Sequence, residues 1–335
     1  MKHSNISIFV PHIGCPHLCS FCDQRTISGA QHAPSGDEVR RVCEKALGEV
    51  KSPENTEIAF FGGSFTAIPM EYMTELLEAA QDFIGEGKFR GIRISTRPDC
   101  IGISILHLLK NSGVTAIELG AQSMCDRVLE ANERGHTADD VVNACRLIRA
   151  FGFELGLQMM IGLYGSTPAD EMATIEKITA LSPDTLRIYP TVILKNTRLG
   201  ELLQSGEYKP FSFDKAVEIS AAAMIMAEAS GIRVIKCGLH ASEFVERDMI
   251  GGFYHPAFRE LCEGLIYRHN MEQAIKSGSY GSGSCIFEVA ADCISKALGH
   301  KKANAEYFRS RGIDIKIRGG ENIPKYQVNI LSEQR

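Results

Sequence analysis

His12-Ile13-Gly14-Cys15-Pro16-His17-Leu18-Cys19-Ser20-Phe21-Cys22-Asp23-Gln24 carries three cysteines in the spacing C-x3-C-x2-C, directly after the apolar run Ile6–Val10. The thiols therefore sit in a loop that follows a first strand. Three cysteines within eight residues, with proline and histidine among them, do not read as core packing. They converge on a metal centre, and two centres remain open. A structural zinc site would use the three thiolates plus His12 or His17. An iron–sulfur cluster normally takes four protein ligands, and three would leave one iron of a four-iron cluster free for a non-protein ligand. The spacing favours the cluster.

Outward from this loop, short apolar runs alternate with helical patterns. The strand-like runs are Ile6–Val10, Glu57–Phe61, Gly91–Ser95, Ala116–Leu119, Glu154–Met160, Thr185–Tyr189 and Ile232–Ile235. Helical spacing of apolar residues covers Asp37–Val50, Glu71–Ile84, Ser104–Asn111, Ala138–Phe151, Ala169–Leu181 and Phe213–Ser230. Ser112-Gly113-Val114, Phe151-Gly152-Phe153 and Ser230-Gly231-Ile232 repeat one device: a helix ends, glycine turns the chain, and a strand begins. Such alternation predicts a parallel sheet with crossover helices, either doubly wound or a full or partial barrel. Either way, ligands belong at the carboxyl ends of the strands.

After His240 the alternation stops. Helices are predicted at His255–Lys276, Cys285–Leu298 and Asn304–Arg311, and strands at Ile313–Ile317 and Tyr326–Leu331. The Gly/Ser stretch Ser277–Ser284 reads as a flexible loop or as a backbone-rich anion loop opening the Cys285 helix.

Composition sets the outer limits. Of 335 residues, 44% are hydrophobic and 23% charged, which predicts a globular chain throughout. Asp plus Glu exceeds Lys plus Arg, 41 to 36, so a globally basic nucleic-acid-coating protein is excluded. Eleven cysteines in a chain of this length do not form the framework of a small secreted domain. Met1-Lys2-His3-Ser4-Asn5 lacks a signal-peptide core, and no stretch is long enough to span a membrane. A cytoplasmic, reduced protein with free or metal-bound thiols is expected.

The cysteine loop, with the aromatic Phe21 before its last cysteine, resembles the radical S-adenosylmethionine superfamily. That resemblance implies a [4Fe–4S] cluster on Cys15, Cys19 and Cys22. The amino and carboxylate groups of S-adenosylmethionine would chelate its open iron, and reductive cleavage would give a 5′-deoxyadenosyl radical that abstracts hydrogen from substrate. It also implies an electron donor such as flavodoxin or ferredoxin. Phe60-Phe61-Gly62-Gly63-Ser64-Phe65-Thr66 looks like the family's glycine motif, where a backbone without side chains meets the cofactor's amino group. Ile94-Ser95-Thr96-Arg97-Pro98-Asp99 and Glu118-Leu119-Gly120-Ala121-Gln122-Ser123 resemble the segments that contact the ribose and methionyl parts. Ser95 stands where relatives such as oxygen-independent coproporphyrinogen III oxidase carry a carboxylate. Arg134 matches the arginine that pairs with the cofactor carboxylate. Gln158 matches a ribose contact, and Tyr189 ends a strand that would run along the adenine. The implied cofactor-binding set is Phe21, Gly62, Gly63, Ser64, Ser95, Gln122, Arg134, Gln158 and Tyr189.

Several of these motifs, together with Arg134-Gly135-His136-Thr137 and Ile188-Tyr189-Pro190-Thr191, are similar to the elongator protein 3-like branch over roughly residues 5–240. The best-known members of that branch modify the wobble uridine of tRNA with acetyl-CoA. They join an acetyltransferase domain, for which this chain is expected to have no room, and a strongly basic surface, whereas this chain is net acidic. The expected substrate is accordingly a tRNA base or a small metabolite. The expected architecture is α/β: a partial (β/α)6 TIM-like barrel over residues 1–240 and a C-terminal α+β extension over 241–335.

Of the remaining cysteines, Cys43, Cys100, Cys125 and Cys145 read as small core residues. Cys237, Cys262, Cys285 and Cys293 lack the tight spacing of a second cluster. Cys285 and then Cys237 are the candidates for a hydrogen-donating catalytic thiol. Two further readings of the cysteine loop are a non-catalytic haem-delivery relative of coproporphyrinogen III oxidase and a zinc-stabilised module that binds RNA or protein.

Overall fold

The computed structural model describes residues 4–11, 15, 18–23, 26, 32–240, 242–278 and 283–331. His12, His17, Gln24 and residues 279–282 of the Gly/Ser stretch lie outside the described residues. The first eight strands are β1 (Ser4–Val10), β2 (Thr56–Gly62), β3 (Gly91–Thr96), β4 (Val114–Gln122), β5 (Glu154–Ile161), β6 (Thr185–Pro190), β7 (Val192–Leu194) and β8 (Arg233–Cys237). All but β7 join one parallel sheet in the order β1-β2-β3-β4-β5-β6-β8. Sequential neighbours pair throughout, and β1 and β8 do not meet. The result is the open half-barrel that the alternation and the cysteine loop together predict.

The crossovers are α1 (Gly36–Glu49), α2 (Met70–Gln81), α3 (Ile103–Asn111), the short α4 (Asp126–Ala131), α5 (Ala138–Ala150), α6 (Pro168–Ala180), the short α7 (Arg198–Gln204) and α8 (Phe213–Ala229). Three of them begin with reciprocal caps: Ser35 with Glu38, Thr137 with Asp140, and Thr167 with Asp170. Each cap satisfies backbone N–H groups that the first helical turn leaves over. The apolar stripes of these helices bury against the sheet, and a single core runs from Ile8 to Tyr326. The short α4, α7 and β7 lay below what sequence periodicity resolves.

After β8 come α9 (Glu243–Asp248), β9 (Met249–Gly252), α10 (Phe258–Ser277), β10 (Gly283–Ala290), α11 (Ile294–Leu298), α12 (Ala303–Arg309), β11 (Ile313–Gly320) and β12 (Asn329–Leu331). Strand β9 pairs antiparallel with β7. Strand β10 lies between β11, its parallel neighbour, and β12, its antiparallel one. Helix α10 packs against α8 and β8 beside the sheet's open edge. One expectation fails here: Cys285–Leu298 is not one helix but a strand followed by a single helical turn. Ile286, Phe287, Val289 and Ala290 are all buried, on both faces of β10. A strand buried on both sides has no period-two pattern, so its apolar run was indistinguishable from a helix.

Candidate functional site

The cysteine loop is pinned from two sides. Ser20 donates its N–H to the Asn132 carbonyl at 3.2 Å and its hydroxyl to Asn132 Oδ1 at 2.9 Å. Its own carbonyl accepts from Leu199 N at 2.7 Å. Asn132 closes α4 and Leu199 lies in α7, so two small helices hold the loop over the strand ends. Within the loop, Cys22 N bonds the Cys19 carbonyl at 3.0 Å.

Below the loop the carboxyl ends of β2, β3, β4 and β5 form a pocket with about 640 Å³ of empty space open to solvent. Cys15, Cys19 and Cys22 line it with Leu18, Phe21, Gly62, Gly63, Ser64, Ser95, Thr96, Arg97, Gly120, Gln122, Arg134 and Gln158. Gly62 has φ +113°, and a Cβ there would lie 2.9 Å from the Val10 carbonyl oxygen. Only glycine allows β2 to turn this tightly beside β1. Gly63 N then bonds the same Val10 oxygen at 2.9 Å.

Strand β4 contributes through a bulge. The β4–β5 register slips between Gly120 and Gln122, and Gln122 takes φ +64°. Gln122 Oε1 is buried with no hydrogen-bond partner among the described residues. Arg134 spans the pocket: Nη1 donates to Cys19 Sγ at 3.1 Å and Nη2 to the Gly120 carbonyl at 2.7 Å. Its Nε is buried and has no partner among the described residues. Nearby, Arg97 is buried and forks onto both oxygens of Asp99 at 2.9 Å. His136 bonds the Ala121 carbonyl through Nε2, while its Nδ1 is unpartnered. Burial first, and then the Arg134 and Arg97 charges, push its pKa down to about 4.

The half-barrel interior beneath the pocket is a charge network. Arg93 bonds Glu57 at 2.7 Å, Glu154 at 2.7 Å and Glu118 at 3.3 Å. Arg187 forks onto Glu118 at 2.6 and 2.9 Å and lies over the Phe61 ring. Gln158 joins the network by donating to Glu118 at 3.0 Å and to Ser95 at 3.3 Å.

The structure thus brings together eleven of the residues singled out from sequence: the three cysteines and every cofactor candidate except Tyr189. Tyr189 stands on β6, two residues beyond Arg187, outside the pocket lining. Cys285 is buried in the C-terminal sheet, on a strand rather than at a helix start, and does not line the pocket. Cys237 ends β8 and is buried; it bonds the Cys262 thiol of α10, whose pKa rises chiefly through that contact. Neither thiol is brought to the strand-end pocket. Leu18, Thr96, Arg97 and Gly120 line it without having been singled out, although each lies within two residues of a chosen one in sequence.

The residues present fit both implied groups. Each of the three thiols lines the same pocket, as ligands to separate irons of one cluster would. Among the described residues, no three His, Cys, Asp or Glu side chains close around a single ion. Buried polar atoms without partners are rare and call for an explanation. Gln122 Oε1 and Arg134 Nε are an acceptor and a donor at the pocket wall, suited to an amino acid's ammonium and carboxylate.

The sequence matches the Radical SAM superfamily over residues 9–178 and the Radical_SAM C-terminal domain over residues 183–268. The tRNA uridine(34) acetyltransferase of Methanocaldococcus jannaschii is 30% identical over 194 residues, covering 52% of this chain and 36% of that protein. The Dehalococcoides mccartyi protein of the same name is 24% identical over 240 residues, covering 62% and 52%. Human elongator complex protein 3 is 30% identical over 199 residues, covering 53% and 36%. The chain spans about a third to a half of the length of these curated relatives. In three dimensions it is similar to the archaeal Methanocaldococcus infernus Elp3 with an N-terminal deletion, at a TM-score of 0.57 and 20% identity, over 73% of this chain and 61% of that one. That likeness establishes the fold.

Proposed function

This chain belongs to the Radical SAM superfamily, and from that premise we propose that Cys15, Cys19 and Cys22 hold a [4Fe–4S] cluster beside a pocket for S-adenosylmethionine. When bound, the cluster supplies the electron that cleaves the cofactor to a 5′-deoxyadenosyl radical, which takes hydrogen from substrate. The observation that carries this reading is the convergence of the three thiols, the bared backbone at Gly62-Gly63 and two orphaned polar side chains on one pocket.

The chain's own residues do the binding. Gly62 and Gly63 expose backbone to the cofactor's ammonium without a side chain in the way. Gln122 Oε1 accepts from that ammonium, and Arg134 Nε donates to the carboxylate. Arg134 Nη1 meanwhile holds Cys19, so one guanidinium ties cofactor and cluster loop together. Leu18 and Phe21 add apolar surface to the pocket wall. Gln158, fixed by Glu118 and Ser95, faces the ribose.

The relatives' names make a tRNA uridine the first substrate to test, with flavodoxin or ferredoxin as reductant. Anaerobically reconstituted protein is expected to hold iron and sulfide and, once reduced, to convert S-adenosylmethionine to 5′-deoxyadenosine. Full cluster loading without that product would sink the enzymatic reading. Zinc without sulfide in anaerobically purified protein would replace it with a metal-stabilised binding module.

A further inference from the structure

Gln158, Arg187 and Lys236 occupy one register row across β5, β6 and β8. In-register residues of adjacent parallel strands share a face of the sheet. Gln158 and Arg187 both reach Glu118 inside the half-barrel, so Lys236 faces the same interior. The row starts at the cofactor pocket, which Gln158 lines, and ends at the open edge of the sheet.

Lys236 differs from the other cations of this interior. Arg93 and Arg187 are held by carboxylates. Lys236 is half-buried, and among the described residues its only hydrogen-bond partner is His240 Nδ1 at 3.1 Å. The carboxylates that hold Arg187 and Arg259 are already engaged. Glu118 serves Arg187, Arg93 and Gln158, and Glu263 serves Arg259 at 3.1 Å and Lys296 at 3.8 Å. Burial, Arg187 and Arg259 all work against the ammonium's charge and lower its pKa. A half-buried ammonium whose neighbouring charges are two guanidinium groups favours an anion beside it.

We propose that Lys236, flanked by Arg187 and His240, is a substrate subsite that binds an oxyanion, a carboxylate or a phosphate, at the open edge of the half-barrel. The anion would seat on the ammonium, and the substrate would extend along the row past Arg187 toward Gln158 and the cofactor pocket. Tyr189, two residues beyond Arg187 on β6, stands over this path. The subsite rests on the proposed radical site only for the direction in which the reacting carbon points.

The test uses the full chain, reconstituted with its cluster, and two probes: inorganic phosphate and acetate, each against chloride at matched ionic strength. Phosphorus and carbon NMR line broadening reports binding. Wild-type protein is expected to bind at least one probe. Lys236→Met should weaken that binding by about tenfold, the loss expected for one charge-assisted hydrogen bond, and Lys236→Arg should retain most of it. Binding of phosphate alone assigns a phosphorylated substrate, and binding of acetate alone a carboxylic acid. No binding by wild type, or equal binding by Lys236→Met, overturns the proposal.

A second measurement avoids any folding defect in the variant. Limited acetylation of wild-type Lys236 by acetic anhydride, followed by mass spectrometry, should slow as the probe saturates. An unchanged rate overturns the proposal equally. Iron and sulfide content and 5′-deoxyadenosine formation are separate readouts, so failure of the subsite and failure of the radical reading are distinguishable.

Discussion

Two polar regions lie one above the other in this half-barrel and obey opposite rules. In the interior, Arg93 meets three glutamates and Glu118 meets two arginines and a glutamine, so charge is matched by charge. At the strand ends, Gln122 Oε1, Arg134 Nε and His136 Nδ1 are buried with no hydrogen-bond partner among the described residues. A buried polar group left unpaired costs about 1–3 kcal/mol, so the upper region stores a deficit that the paired ionic groups of the lower one do not. The difference separates the part that holds the sheet from the part proposed to take a ligand.

Substitutions can break that contrast. The largest effect belongs to the thiols: the triple variant Cys15→Ala, Cys19→Ala, Cys22→Ala should lose all cluster iron and sulfide by chemical analysis. If it holds as much as wild type, the ligand assignment is wrong. Arg93→Met comes next. It removes the buried cation that joins Glu57, Glu118 and Glu154 across the sheet and should cost about 3–5 kcal/mol in urea unfolding. A loss below about 1 kcal/mol would mean that the interior network is not structural.

Glu171 tests the boundary between the two regions. It accepts from Gly162 N and Ser166 Oγ, both at 2.7 Å, but among the described residues it has no cation partner. Burial pushes its pKa up to about 7 from 4.5. The folded state therefore favours the protonated acid, and the penalty for ionising it grows as pH rises from 4.5 through 7. Glu171→Gln removes that penalty. The stability of wild type relative to the variant should fall by roughly 2–3 kcal/mol between pH 4.5 and 8. A flat difference across this window would show a carboxylate with an ordinary pKa.

Smaller effects belong to the pocket wall. Arg134→Lys loses the fork that joins Cys19 and Gly120. S-adenosylmethionine affinity should drop about tenfold, with under about 1 kcal/mol lost in unfolding. Equal losses in both would erase the contrast. Gly120→Ala is the mildest change. Its Cβ would meet Gln122 Nε2 at 2.9 Å and Arg134 Nη2 at 3.4 Å, both ends of mobile side chains. Affinity should fall a few fold while stability stays within about 0.5 kcal/mol. Calorimetric titration with the cofactor and urea unfolding measure both cases.

Much of this site was legible before the fold. The cysteine loop, Gly62-Gly63 and Gln122 announce themselves because each is a residue type placed at or just after a strand end, and Arg134 by its spacing of twelve residues from Gln122. The sheet followed from the repeat of strand, helix and turning glycine, and Gly113, Gly152 and Gly231 do adopt positive φ. Tyr189 shows the limit of that reading: it ends a strand as the others do, yet it stands outside the pocket lining. Strand β10 shows another limit, since a fully buried strand and a helix share one apolar signature.

The amino-acid sequence by itself determined the three-cysteine loop, the alternation that builds a parallel sheet, and the backbone positions where only glycine fits. These depend on spacings of a few residues, which the chain carries locally. Only the tertiary structure decided which charges meet. Arg93 finds Glu57, Glu118 and Glu154, and Gln158, Arg187 and Lys236 line up in one row, because strands far apart in the chain lock into register. Pairing across strands follows from packing the whole sheet, so it appears only once the sheet is formed.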